Sequence, residues 1–321
     1  MSRDPRYLDF RRLVEVTVVV TQNRFLLRPS EETNDLFVGV VGYAQRKLDM
    51  EIISLTALST HWHGLFRPRD AEHLAQFMQM VNCNLSKEIG TRLHGWPGGM
   101  WDTRYKMVPV TDEEAAQVDR LRYQLANGVK EGLVDKAEEW PGVHSAKALM
   151  TGEPLVGHWY NRSREYAARQ LRREKNVEAS QFATEERIVF SPLPCWEELS
   201  ESERQQRVTD LVASIDEEAR QERERTGKKS LGVKKILRVN PTKRKAVVEK
   251  SPRPRVHAKS REKRREWLEA LQEIVIAHRE ASERLRDGDR NAEFPEGTFP
   301  CALPFVPLPE TLMLRSRGQP A

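Results

Sequence analysis

The sequence predicts an α+β fold. Three observations carry that expectation: a β-branched run near the N-terminus, amphipathic helical stripes alternating with short apolar runs, and turn-forming residues at the joins. LVEVTVVV (13–20) reads as the first strand. Residues 31–48 place Leu36, Val40, Tyr43 and Lys47 at helical spacing, with Ser30 where an N-cap belongs. MEIISLTALS (50–59) and WHGLFR (62–67) read as two further strands. Asp70 then precedes a helix whose apolar stripe is Leu74, Phe77, Met78, Val81 and Leu85. GTRLHGWPGGM (90–100) is a turn-rich loop, and WDTRYKMVPV (101–110) is extended. Thr111 and Glu114 have capping-box spacing, and the helix they open is expected to run to Gly128, a helix stop. This order of elements suits an antiparallel sheet of the ferredoxin-like kind with helices on one face.

Beyond about residue 160 the pattern changes. Residues 169–187 are polar and weakly periodic, and SPLPCW is a proline-punctuated connection. Ser200 and Glu203 open a helix carrying Val208, Leu211, Val212 and Ile215 on one side. Asn240-Pro241 and SPRPR (251–255) keep the following stretch from forming one helix. Residues 260–286 return to helix with Trp267, Leu271, Ile274 and Val275 as the stripe, and FPEGTFPCALPFVPLP (294–309) is proline-rich. The expectation is a domain over 1–160 and a mostly helical, basic accessory region over 161–321.

Charge separates these halves more sharply than pattern does. The whole chain carries +5, yet residues 228–265 hold sixteen Lys or Arg against Glu249 and Glu262, a local net of +14. Residues 1–160 hold nineteen basic and twenty-one acidic residues, a net of −2. A phosphate-binding footprint is therefore expected in the C-terminal half, on Lys228, Lys229, Lys234, Lys235, Lys243, Arg244 and Lys245. Arg104 and Lys106 are further candidates for backbone phosphates, and a solvated edge-strand charge is the alternative for both. Three cysteines without Cys-x-x-Cys spacing indicate neither a disulfide framework nor a thiolate zinc site. The N-terminus lacks the apolar core of a signal peptide, and no run approaches the ~18 apolar residues of a membrane helix. These features favour a cytoplasmic protein without a membrane partner.

The chemistry-bearing stretch is STHWHGLFRP (59–68). Side chains at i and i+2 of a strand share a face, so His61 and His63 can address one point while Trp62 turns to the core. Two nitrogen ligands for a divalent metal would be placed in this way, and so would two structural histidines. On the helix after Thr111, Val118, Leu121 and Leu125 lie within one arc. Tyr123 and Asn127 fall together on the opposite, polar side, one turn apart. Trp96 and Trp101 flank the glycine-rich loop and serve packing or base stacking. His73, His94, His144 and His158 have no usable metal spacing.

HWH in a strand, a Met/Leu-rich helix, WDTRY, Tyr-x-x-x-Asn, a Gly-Leu-Val stretch (132–134) and WPGVHS (140–145) occur in that order. Taken together they resemble the single-tyrosine HUH transposases, closest to the bacterial REP-associated tyrosine transposases, over roughly residues 8–150. The resemblance implies that His61 and His63 bind Mg²⁺ or Mn²⁺, that Asn127 completes the metal site, and that Tyr123 is the nucleophile. It also implies cleavage and rejoining of single-stranded or hairpin DNA through a 5′-phosphotyrosine, by a monomer or homodimer. Thr60 and Gly128 depart from the pattern, which commonly has Asn before the first histidine and Pro after the helix asparagine. Two other readings remain: a domesticated or inactive member that binds hairpin DNA without cutting, and a metal-dependent hydrolase, which would need further His or Asp ligands.

Overall fold

The computed structural model describes residues 5–9, 12–171, 178–245 and 254–302. Residues 251–253 of SPRPR and 303–309 of the proline-rich end lie outside them. The first sheet contains β1 (Leu13–Val19), β2 (Glu51–Leu58), β3 (His61–Arg67) and β4 (Lys106–Val110). Its strand order is β2-β3-β1-β4, and every pairing is antiparallel. α1 (Glu31–Leu48) connects β1 to β2, and β3 inserts between them. This is the split βαβ arrangement of a ferredoxin-like fold.

Strand alternation sorts the residues onto two faces. Val14, Val16, Val18, Trp62 and Phe66 point to one core, which α1 and α2 (Ala71–Leu85) cover. Trp62 is fully buried there, edge-on to Phe37 at 5.8 Å. Leu13, Ile53, Leu65 and Val110 point to a second core on the opposite face, beneath α3 (Glu114–Leu125). The helix pair on one face is thus the expected one, and α3 adds a layer to the other. Ser30 and Asp70 cap α1 and α2 through their side chains, as the sequence indicates.

Two local expectations fail beside α3. The Thr111 capping box does not form: Thr111 Oγ1 instead donates to Glu113 Oε2 at 2.7 Å, and Glu113 is the N-cap. Gly128 does not stop the helix. After a break at Ala126 the chain makes one more turn, α4 (Asn127–Lys130), and ends at Gly132, whose φ is +64°. Gly128 is small for packing instead, since a Cβ there would meet Val134 at 3.2 Å and Trp140 at 3.4 Å. The expected 90–100 loop also begins as the tail of a helical stretch, Ser86–Leu93.

The chain divides into two compact units, Leu8–Leu268 and Met1–Tyr7 with Glu269–Ala321. Residue 160 falls inside the larger unit, where later elements complete both cores. α5 (Ala146–Thr151) leads to β5 (Leu155–Tyr160), and α6 (Arg162–Leu171) follows it. β5 pairs with β6 (Ala183–Ile188), a two-stranded sheet absent from the sequence reading. Leu193, Trp196, Val208, Val212 and Ile215 reach the second core from the 193–196 connection and α7 (Glu201–Thr226). Within 228–265, only α8 (Val233–Arg238) and the start of α9 (Arg261–Arg286) are helical among the described residues.

The β5–β6 hairpin packs on α1 at two glycines. A Cβ on Gly39 would lie 2.0 Å from the His158 carbonyl oxygen, and one on Gly42 2.9 Å from that of Arg187. Both obstacles are backbone, which cannot step aside cheaply. Gly39→Ala is therefore expected to destabilise the protein by about 3 kcal/mol despite alanine's higher helix propensity. Urea unfolding checks this, and a stability gain would refute the close-approach explanation.

Candidate functional site

β3 and α3 build the site together. Register places His61 opposite Val19 and His63 opposite Thr17 on β1, all on the α3 face. Each histidine has its Nδ1 held by a hydroxyl: Thr60 Oγ1 lies 2.9 Å from that of His61, and Thr17 Oγ1 3.1 Å from that of His63. Thr60 thus occupies the departure from the common pattern with a ring-orienting contact. If the Nδ1 positions carry the protons, both Nε2 lone pairs are left for a ligand. His63 Nε2 is buried without a hydrogen-bond partner. The two rings lie 4.9 Å apart, nearly perpendicular.

Burial keeps these imidazoles neutral. It pushes His61 down to about 3, helped by His63 and by the charges of Lys245 and Lys106. His63 is lowered by burial too, against the pull of Glu15. Neutral rings are what a cation requires, so the pair fits a divalent ion. Among the described residues, no group of three or more His, Cys, Asp and Glu side chains could hold a metal. A third protein ligand would therefore be of another donor type, such as the side-chain amide oxygen of Asn127. Asn127 is 3% exposed; its Oδ1 is the atom that could face a cation, whereas its buried Nδ2, which lacks a partner, is a donor that could not.

Tyr123 stands over this pair. Its ring meets His63 edge-on at 5.9 Å, with the Arg120 guanidinium 4.9 Å and the Lys130 ammonium 4.6 Å from its centroid. The polar side of α3 therefore faces the histidines rather than open solvent. Leu121 and Leu125 are buried as expected, but Gln124 shares their interior with no exposure at all. Ser54 Oγ donates to Gln124 Oε1 at 2.6 Å, fixing the helix to β2. Burial and then Glu15 raise the Tyr123 pKa above the usual phenol value, while Arg120 opposes them. A phenolate here needs added positive charge.

Glu15 is the residue the sequence reading missed. It lies on β1 between the histidines and α3, 6% exposed. Its carboxylate is 3.7 Å from Arg120, 3.9 Å from His63 Nδ1 and 2.8 Å from His257 Nε2. Burial raises its pKa, and the contacts with His257, His63 and Arg120 outweigh that and hold it below the usual carboxylate range. Its signal was available: a lone acid in LVEVTVVV, in phase with Thr17 on one strand face.

The basic candidates divide. Lys106 sits opposite Thr17, the β1 residue that His63 also faces, and the charges of Lys245 and Lys106 help lower His61. Lys243, Arg244 and Lys245 are exposed on a segment pinned to the 22–25 turn, with Lys245 N donating to Asn23 O at 3.0 Å. Lys228, Lys229, Lys234 and Lys235 are exposed on and before α8, and Arg104 is exposed before β4. Trp101 donates to Asn82 O at 3.0 Å and Trp96 to Gly99 O at 3.2 Å; both pack against the first core. WPGVHS is an edge staple: Ala57 N donates to Val143 O, and Trp140 Nε1 to Ala57 O at 2.9 Å. His73, His94 and His144 lie within bonding distance of backbone carbonyls, and His158 of Asp35.

His61 and His144, the latter pushed down to about 4 by burial, have an acid-stability consequence. Both bind a proton less readily folded than unfolded, so stability is full above pH ~6.5 and falls as pH drops toward their folded values. Between pH 7.5 and 5 each is expected to cost about 2 kcal/mol. Urea melts at the two pH values, with chelator present, check this; equal midpoints would contradict it.

The fold and site together define an α+β domain that presents two neutral histidines and a tyrosine on one sheet face. Comparison with solved structures finds the REP-associated tyrosine transposase bound to a REP hairpin. It is 17% identical with a TM-score of 0.39, over 47% of this chain and 87% of that one. A candidate transposase from Deinococcus radiodurans R1 is 13% identical with a TM-score of 0.27, over 38% of this chain and 95% of that one. No protein-family model and no curated protein matches the chain.

Proposed function

We propose that the protein is a DNA transposase of the single-tyrosine HUH kind, cleaving and rejoining single-stranded or hairpin DNA. The placement of the Tyr123 ring against His63, on the face that also carries His61, carries this reading. Tyr123 Oη attacks a backbone phosphorus, the bond to the departing 3′-oxygen breaks, and a 5′-phosphotyrosine forms. The phenol gives up its proton, and the 3′-oxygen takes one up. Because one phosphodiester replaces another, a different 3′-hydroxyl can reverse the step and join strands. Mg²⁺ or Mn²⁺, held by His61, His63 and the Asn127 amide, would neutralise phosphate charge and favour the phenolate. Arg120 and Lys130 flank the ring where the anionic strand must approach, and Lys106 on the neighbouring edge strand adds positive charge.

A second reading is favoured by one observation, the raised pKa of Tyr123. It is a member that binds hairpin DNA without cutting. Incubating the full chain with labelled single-stranded DNA and Mn²⁺ separates the two. A denaturant-resistant protein–DNA adduct supports the transposase; retention of DNA without adduct supports the binder.

A further inference from the structure

His257 lies in a segment more than 130 residues beyond Tyr123 in sequence. β4 is an edge strand, and its free edge is taken by the chain around this residue. His257 N donates to Pro109 O at 2.8 Å, and Thr111 N donates to His257 O at 2.9 Å, a one-residue parallel bridge to Val110. Val256 beside it is buried, which anchors the contact. The backbone then turns onto the start of α3. Lys259 N and Ser260 N donate to the Glu113 carboxylate at 3.1 and 2.8 Å, and Lys259 Nζ reaches Asp119 at 2.6 Å. These bonds cover the helix entrance that Thr111 fails to cap.

The bridge sends the imidazole inward. His257 Nε2 lies 2.8 Å from Glu15 Oε2, though too poorly aligned to count as a hydrogen bond, and the same carboxylate faces Arg120 at 3.7 Å. Arg120 in turn lies against the Tyr123 ring. Glu15 is thus shared between the His257 ring and the Arg120 guanidinium, and Arg120 also holds the tyrosine. Without His257, the buried carboxylate would lose its nearest neighbouring side chain, and Arg120, at 3.7 Å, would be drawn towards it and off the ring.

We propose that residues 255–260 are a latch on the tyrosine helix, and that His257 is a positioning residue acting on Tyr123 through Glu15 and Arg120. This rests on the transposase reading for its kinetic consequence, but its structural consequence is independent of it. The segment belongs to the reaction site, not only to the DNA-binding surface that its charge suggests.

The test compares full-length protein with His257→Ala and His257→Gln; glutamine can place an amide donor near the position of Nε2. Two quantities are measured: the single-turnover rate of adduct formation at saturating DNA, and amide exchange over residues 114–125. His257→Ala is expected to slow adduct formation about tenfold with unchanged DNA affinity and to raise exchange in α3, and His257→Gln to recover most of both. An alanine variant with wild-type or faster cleavage overturns the positioning role, and unchanged α3 exchange overturns the latch. Should the alanine variant fail to fold, a folded glutamine variant about tenfold or more slower than wild type with unchanged α3 exchange would overturn the role, and one at wild-type rate and exchange would support it. Absence of adduct in the wild-type chain would sink the transposase reading instead, and exchange alone would then decide the latch.

Discussion

Tyr123→Phe is expected to reduce covalent adduct formation by at least about 10³-fold while leaving DNA affinity within about twofold. The substitution removes one oxygen and keeps the ring. Its edge contact with His63 and its position between Arg120 and Lys130 depend on the ring alone, so packing and phosphate attraction survive. What is lost is the atom that would form the bond to phosphorus. The comparison is made by denaturing electrophoresis for the adduct and by anisotropy for binding, on the same oligonucleotide. Persisting adduct in the variant would transfer the nucleophile's role elsewhere.

The second large effect is expected at the histidine pair. His63→Ala or His61→Ala should lower Mn²⁺-dependent cleavage by about 10²-fold or more, and calorimetric titration with Mn²⁺ should show the matching loss of metal affinity. His63 is the stronger case, because its Nε2 is buried and lacks a partner. A free imidazole would predict loss of activity as pH falls through ~6.5. Burial pushes both rings below that value, so protons should compete with the metal only in more acidic solution. Normal cutting by both variants would leave the pair a structural one.

Much of the fold was legible because its signals are local. Alternation in LVEVTVVV, the Ser30 and Asp70 caps and the apolar stripe from Leu74 to Leu85 each report on a few neighbouring residues, and each element formed where they indicated. The placement of His61 and His63 opposite Trp62 followed from strand periodicity in the same way. The larger failures involve partners distant in sequence. The β5–β6 hairpin lies half in a polar stretch, and its best sign was elsewhere: Gly39 and Gly42, two glycines one turn apart in a helix interior, marking the approach of another backbone. Thr111 gave up its cap because Glu113 had donors from Lys259 and Ser260, which no local pattern reveals. Glu15 goes unremarked in the sequence because Arg120, His63 and His257 surround it only in the fold.

The same dependence on distant partners holds for the basic segment. Its charge of +14 points to nucleic acid, and the seven candidate cations from Lys228 to Lys245 are exposed as that requires. Yet Lys245 pairs with Glu131 at 3.5 Å and Lys259 with Asp119, so some of that charge is spent on holding the helices around Tyr123. Net charge counts residues; only the fold decides which of them face outward.

The central claim is a phosphotyrosine at one named position. Full-length protein incubated with a single-stranded oligonucleotide and Mn²⁺, digested with protease and nuclease, and analysed by tandem mass spectrometry tests it most directly. The expected result is a nucleotide attached to the peptide containing Tyr123, with fragment ions locating it on that side chain. Attachment at any other residue, or DNA retained with no covalent product, would contradict it.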